Sequence, residues 1–275
     1  IVDFLDWKVN EINRLILIEK EKIKETIKLK KVSVSEILLR RNKDSGGVYD
    51  CGYSWIGDVP NDYKVVSLKH LCTQITDGTH STPTYTSEGI PFLRVTDLST
   101  LDYGENIDLE KVAYISEEEH KELIKRCNPQ KGDVLVSKNG TIGIPKVIDW
   151  DWDFSIFVSL CLLKLKETVL PEWIYFYFKS DLSEREIAYG GKKGTIVNLH
   201  LEKIKEFKIP IPPLERQRLI IKEIEEKIVI IEHMERTSTN IVENLEKLKN
   251  SLISEVVTGK INIQDIEIPE YDPVE

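Results

Sequence analysis

The sequence predicts an α+β protein: a globular domain of twisted, mainly antiparallel β-structure with short helices, flanked by two long α-helices. Three observations carry this expectation. Residues 1–40 and 214–258 lack proline and glycine and repeat apolar residues at helical spacing. The stretch between them alternates short β-type runs with turn signals. At "KIPIPPLERQRLI", Lys208–Ile220, the pattern changes from strand-like to helical across a group of prolines.

In the first helix Leu5, Val9, Ile12, Ile16 and Ile23 fall on one face, and Lys and Glu fill the other side. The helix should end near "NKDSGG", where two glycines begin a loop. Turn signals then recur as "GD" at 57–58, "DGT" at 77–79, "EGIP" at 88–91, "KGD" at 131–133, "NGTIG" at 139–143 and "GGKKGT" at 190–195. Strands are expected at "KVVSL", "PFLRV", "DVLVS", "IPKVI" and "SIFVSLCLLKL". Helices are expected around Glu117–Arg126 and at "PEWIYFYFKS", the second continuing toward Ile187.

Pro210 and Pro212 limit further sheet pairing, Pro213 suits a first helical turn, and Glu215 favours the helix N-terminus. A stiff corner between the domain and the last helix is the expectation. Beyond it, Ile221, Ile224, Ile228, Ile231, Ile241, Leu245, Leu248 and Leu252 continue one seam, weakened at Glu235–Asn240. A helix of that extent is about 65 Å long at 1.5 Å per residue. It needs a partner along its seam, so a coiled coil, parallel or antiparallel, is implied.

The two helices also match each other without gaps when residues 1–36 are moved by 219 positions. Ile1 meets Ile220, Lys8 meets Lys227, "KLK" at 28–30 meets "KLK" at 247–249, and "SE" at 35–36 meets "SE" at 254–255. Helices built from Ile, Lys and Glu coincide at some places by chance. The gapless register favours an internal repeat.

The net charge of −9 is unevenly placed. Residues 1–43 carry +4, 44–207 carry −8, 208–263 are neutral, and the tail 264–275 carries −5. Any nucleic-acid binding by the acidic middle must therefore rest on local basic loops rather than a global field. No run reaches the roughly 18 apolar residues of a membrane span and no signal-peptide pattern opens the chain, so a cytoplasmic protein is expected. The first residue, Ile1, leads us to expect a fragment or a processed chain. Cys51, Cys72, Cys127 and Cys161 form no CxxC pair and have no histidine at zinc spacing, which predicts reduced, mostly buried thiols and no metal.

Motifs that carry reactions are missing from the sequence. There is no GxxxxGK[ST] phosphate loop, GxSxG elbow or HExxH pair. "IPPL" at 211–214 has Ile and Leu where an amino-methyltransferase loop needs an amide or carboxylate and an aromatic ring. What remains is a set of polar loops. "TDGTHSTPTY", Thr76–Tyr85, offers hydroxyls, an imidazole and a ring to phosphates or base edges, or else caps its own backbone. "SKNGTIG", Ser137–Gly143, presents Lys138 and Asn139 to a phosphate, or is a plain type I′ hairpin. "GGKKGTIVN", Gly190–Asn198, is the best basic patch, or a solvated loop.

Four stretches together resemble the specificity subunit of type I restriction–modification systems: "YSWIGDVPNDYKVVSLKHLC", "GIPFLRVTDL", "KGDVLVSKNGTIG" and "GTIVNLHLEKIKEFKIPIPPLERQRLI", with the closing "LKNSLISEVVTGKI". The resemblance covers nearly the whole chain. It implies a spacer helix at 1–43, a target recognition domain at 44–207, a distal conserved helix at 208–263 and an acidic tail at 264–275. It implies that the two helices pack antiparallel and dock modification subunits, and that each recognition domain reads one half of a split DNA target. A full subunit carries two such domains and this chain carries one, so it is either an excised half or a short subunit that pairs with itself.

Double-stranded DNA would then be met by Thr79, His80, Thr82, Tyr85 and Arg94, by Lys138, Asn139 and Thr141, and by Lys192, Lys193, Thr195 and Asn198. The resemblance implies no catalysis and no cofactor in this chain. S-adenosylmethionine belongs to the partner modification subunits, and ATP and magnesium to the partner restriction subunit. Two other readings stay open: the recognition tail of a fused restriction–methyltransferase enzyme, and a coiled-coil adaptor that binds protein.

Overall fold

The computed structural model describes residues 1–39, 46–99, 101, 103–189, 199–264 and 266–271. Helix α1 spans Val2–Leu39. Strands β1 (Val48–Asp50) and β2 (Asp58–Pro60) form an antiparallel ribbon. β3 (Lys64–Ser67) leads through a 3-10 turn at Leu68–His70 into β4 (Cys72–Asp77). Next come β5 (Tyr85–Thr86), β6 (Ile90–Leu93), α2 (Val95–Leu98), β7 (Ala113–Ile115) and α3 (Glu117–Leu123). Strands β8 (Val134–Ser137), β9 (Pro145–Val147), β10 (Ser155–Ile156) and β11 (Leu160–Leu165) follow. Helices α4 (Pro171–Lys179), α5 (Asp181–Tyr189) and α6 (Leu201–Glu206), strand β12 (Lys208–Ile211) and helix α7 (Leu214–Val257) complete the order.

The chain divides into two compact units, Ile1–Lys30 with Glu225–Glu275, and Lys31–Ile224. In the first unit the long helices pack antiparallel. Asn13 meets Lys249 at 3.2 Å, Lys20 meets Glu246 at 3.8 Å and Lys30 meets Glu232 at 2.6 Å, so one numbering rises as the other falls. Ile12, Ile16 and Val242 are buried in the seam, with Ile23, Leu245 and Leu252 packed against them. Each such side chain gains about 1.5–3 kcal/mol from burial, which an exposed ion pair such as Lys20–Glu246 does not match. The weak stretch Glu235–Asn240 stays helical. There the Thr237 and Thr239 hydroxyls donate to the carbonyls of His233 and Glu235.

The second unit holds two four-stranded sheets. One has the order β4-β11-β8-β9 and is antiparallel throughout. The other has the order β10-β6-β7-β5, in which β10 runs parallel to β6. The run "SIFVSLCLLKL" is therefore two strands, one for each sheet. Leu160 N–H donates to Phe157 O, closing a turn that carries the chain from one sheet to the other. Leu93, Leu98, Leu135, Phe154, Ile156, Leu160 and Leu162 share one core.

Every residue of α4 from Trp173 to Phe178 is buried, as expected of a helix apolar on all sides. The helix expected to continue toward Ile187 instead breaks at Ser180. Its hydroxyl donates to Tyr177 O and accepts from Leu182 N–H, ending α4 and capping α5. The Asn139-Gly140 turn is not a two-residue hairpin. β8 and β9 pair only as far as Val136 and Pro145. The Ser137 hydroxyl holds the wider loop between them, accepting from Ile144 N–H and donating to Thr141 O.

The proline corner is locked by one amide. Gln217, in the first turns of α7, is fully buried. Its Oε1 accepts from Leu170 N–H at 2.9 Å, and its Nε2 donates to Thr168 O and Pro212 O, both at 3.0 Å. Pro210 pairs with Val65 of β3, and its carbonyl accepts from the Trp173 indole. Gln217→Leu keeps the volume and removes the partner of three backbone groups, of which Pro212 O is buried and Leu170 N–H half-buried. It is expected to cost about 2–4 kcal/mol of stability by urea denaturation. An unchanged midpoint would mean that the amide locks nothing.

Candidate nucleic-acid interface

The candidate site grows from the end of β4. Asp77 lies opposite Cys161 of β11 and is only 2% exposed, so its charge must be met from within the fold. Lys138 Nζ meets Oδ2 at 2.6 Å, Arg126 Nη2 donates to Oδ1, and His80 Nε2 stands 3.3 Å from Oδ2. Burial alone would raise the Asp77 pKa. The hydrogen bond from Lys138 and the charges of Lys138, Arg126 and His80 outweigh it and hold the carboxyl below its ordinary value.

Gly78 follows, with its N–H directed to Leu160 O. A Cβ there would lie 1.9 Å from Ile156 O, so the two backbones touch as only glycine allows. Thr79 N–H donates to Ile156 O and Thr79 O accepts from Val158 N–H. The base of the loop is thus stitched to the segment between β10 and β11. Beyond this base, Thr79 Oγ1 accepts from Ser81 N–H. The His80 side chain is 64% exposed, and Thr82 and Tyr85 also face solvent. The Tyr85 ring lies tilted against Phe92, with centroids 6.1 Å apart, and Thr84 N–H donates to Glu119 of α3.

The same segment anchors two further stretches. Val95 N–H donates to the Ser159 hydroxyl, which fixes Arg94 at the start of α2 with its guanidinium on Asp97. Lys138 N–H donates to Ser159 O, which fixes the start of the loop after β8. Five residues, Ile156–Leu160, therefore gather Thr79, His80, Arg94, Lys138 and Asn139 from three separate parts of the sequence. Thr82 and Tyr85 extend from the first loop, and Thr141 is exposed at the far side of the third. Lys192, Lys193, Thr195 and Asn198 lie outside the described residues.

Lys138 differs from the exposed cation that the sequence implies. It is 6% exposed and its ammonium is committed to Asp77. Asn139 Oδ1 is buried with no hydrogen-bond partner among the described residues. Sequence reasoning missed Asp77, Arg126 and Ser159. "DGT" was legible as a turn, but nothing in the sequence joins it to an arginine 49 residues away.

Burial pushes the thiols of Cys72 and Cys127 up to about 12, which leaves them protonated and unreactive at neutral pH. Among the described residues no grouping of His, Cys, Asp and Glu could hold a metal ion, and no helix is long and apolar enough to cross a membrane.

A family model described as "Type I restriction modification DNA specificity domain" matches residues 60–244. The type I restriction enzyme EcoBI specificity subunit of Escherichia coli is 23% identical over 178 residues, covering 64% of this chain and 36% of that protein. A solved HsdS subunit from Thermoanaerobacter tengcongensis superposes with a TM-score of 0.56 at 19% identity, covering 94% of this chain and 57% of that one. A second solved chain, from work on assembly and conformational transition of the type I R-M system, gives a TM-score of 0.67 at 19% identity. It covers 92% of this chain and 57% of its own length. These two likenesses establish the fold. The chain spans only about a third to three-fifths of the relatives it matches.

Proposed function

Because the chain belongs to the type I restriction modification DNA specificity domain family, we propose that it is a noncatalytic reader of DNA sequence. Its second unit reads one half of a bipartite target, and its paired helices dock modification subunits. The observation that carries this reading is the convergence of three polar stretches on Ile156–Leu160. From that one anchored segment the fold presents hydroxyl, imidazole, phenol and guanidinium groups, the chemistry of base-edge and phosphate contact. Groups held by a sheet start closer to their bound geometry than groups on free loops.

In this reading methyl transfer and strand cleavage belong to partner subunits, with S-adenosylmethionine, ATP and magnesium bound there. The paired helices act as the spacer whose length sets the gap between half-sites. Exposed apolar residues on α7, among them Val229, Ile230, Met234 and Leu248, support pairing of the helices with a second copy or with the modification subunits.

Methylome sequencing of a host carrying the system with this chain tests the proposal. The expected result is a methylated motif in two blocks separated by a fixed unread gap. Changing Thr79, His80 and Thr82 together should alter one block and leave the other. A continuous motif would exclude the spacer reading.

A further inference from the structure

The reading of this unit as a DNA binder leaves a physical problem. Residues 44–207 carry −8, so a phosphate backbone approaching the loops meets an unfavourable field. The Asp77 cluster contains an answer that the loop residues alone do not give. The buried ammonium of Lys138 already balances the buried carboxylate at 2.6 Å. Arg126 is a second cation on the same carboxylate, and its side chain is 54% exposed. The group of three therefore carries one net positive charge, and the half that reaches solvent is the guanidinium.

That guanidinium is also fixed in direction. Nη2 donates to Asp77 Oδ1, and Nη1 donates to Gly78 O at 3.2 Å, at the base of the candidate recognition loop. The backbone of Arg126 is tied as well, since its carbonyl accepts from Gln74 Nε2 of β4 and its N–H donates to Leu123 O. An arginine held by two of its five donors keeps the others for an incoming acceptor and has little rotamer freedom left to lose. His80 Nε2 lies 3.3 Å from the same carboxylate and its side chain is 64% exposed, so the loop's imidazole shares that carboxylate with the guanidinium.

We infer that Arg126 is a DNA-phosphate contact of this unit, pre-oriented by Asp77 and left with its charge uncancelled because Lys138 neutralises that carboxylate from within. The inference rests on the DNA-reading function proposed above. It gives Lys138 a different part from the one the sequence implies. Lys138 acts through Asp77 on Arg126 and is a positioning residue, not a contact.

The test uses the full chain and a duplex enriched by the wild-type protein from a random pool, with a scrambled duplex of equal length beside it. Affinity is measured over a salt series for wild type, Arg126→Gln and Arg126→Lys. For Arg126→Gln the expected result is a loss of about three- to tenfold on both duplexes at low salt, with the salt slope reduced by about 1. Arg126→Lys keeps the charge and should restore the slope. Thermal melting of each variant separates a binding loss from unfolding. A folded Arg126→Gln protein with wild-type affinity and slope overturns the inference and leaves the reader function standing. So does a loss confined to the enriched duplex with the slope intact, which would make Arg126 a base contact. If the wild-type chain enriches no duplex, the reader function itself fails.

Discussion

Gly78→Ala is expected to destabilise the second unit by about 3 kcal/mol or more, among the larger effects of any single methyl group here. The new Cβ would lie 1.9 Å from Ile156 O, 2.4 Å from Ile156 C and 2.6 Å from Phe157 C. All three are backbone atoms, so no side chain can turn aside. To accept the methyl, the strand end must move away from the segment that anchors all three candidate stretches. That breaks the hydrogen bonds of Gly78 and Thr79 to Leu160 and Ile156. Urea denaturation should show a lowered midpoint, and DNA affinity should fall further than the fraction folded explains, because the Thr79–Tyr85 loop is displaced. A variant with wild-type stability would show that the two backbones are not in contact.

Asp77→Asn should cost about 3–5 kcal/mol, because it leaves the Lys138 ammonium buried without a counter-charge. Lys138→Met should cost less, since Asp77 keeps Arg126 as its partner. The pH dependence has a fixed sign. The folded-state pKa of Asp77 lies below its ordinary value of 3.8. Its contribution to stability is therefore present above 3.8 and is lost as pH falls through the folded value. Below about pH 4 the wild-type protein should lose stability faster than Asp77→Asn, and the two curves should converge in acid. Parallel curves would mean that the carboxylate is not ionised in the fold.

The long helices were legible as helices from their repeated apolar spacing, but past Glu235–Asn240 the seam runs through Val242, Leu245 and Leu252, while Ile241 and Leu248, expected in it, are exposed. Leu214–Val257 and Val2–Leu39 follow from that periodicity, and the corner follows from Pro212 and Pro213. The strands were legible as runs but not as sheets. "SIFVSLCLLKL" is mostly apolar and holds no glycine, proline or asparagine, so a lone Ser159 is its only mark of the turn at Phe157–Leu160 that divides it. The Ser180 break was hidden for a related reason, because a serine reads the same whether it faces solvent or caps the next helix. In the candidate site, hydroxyl-rich loops were visible as composition. The Asp77 cluster was not, since it joins Asp77 to cations 49 and 61 positions away and depends on Lys138 turning inward. Local chemistry shows which groups a loop offers. Which of them is already committed to a buried partner is decided by the packing of distant strands.

The most direct test of the DNA-reading claim is selection from a random duplex pool by the wild-type chain and by a chain with Thr79, His80 and Thr82 changed to alanine. The predicted result is a short sequence block enriched by wild type and lost or altered in the variant, with both proteins melting at the same temperature. Enrichment of the same block by the variant, or of no block by either protein, would contradict it.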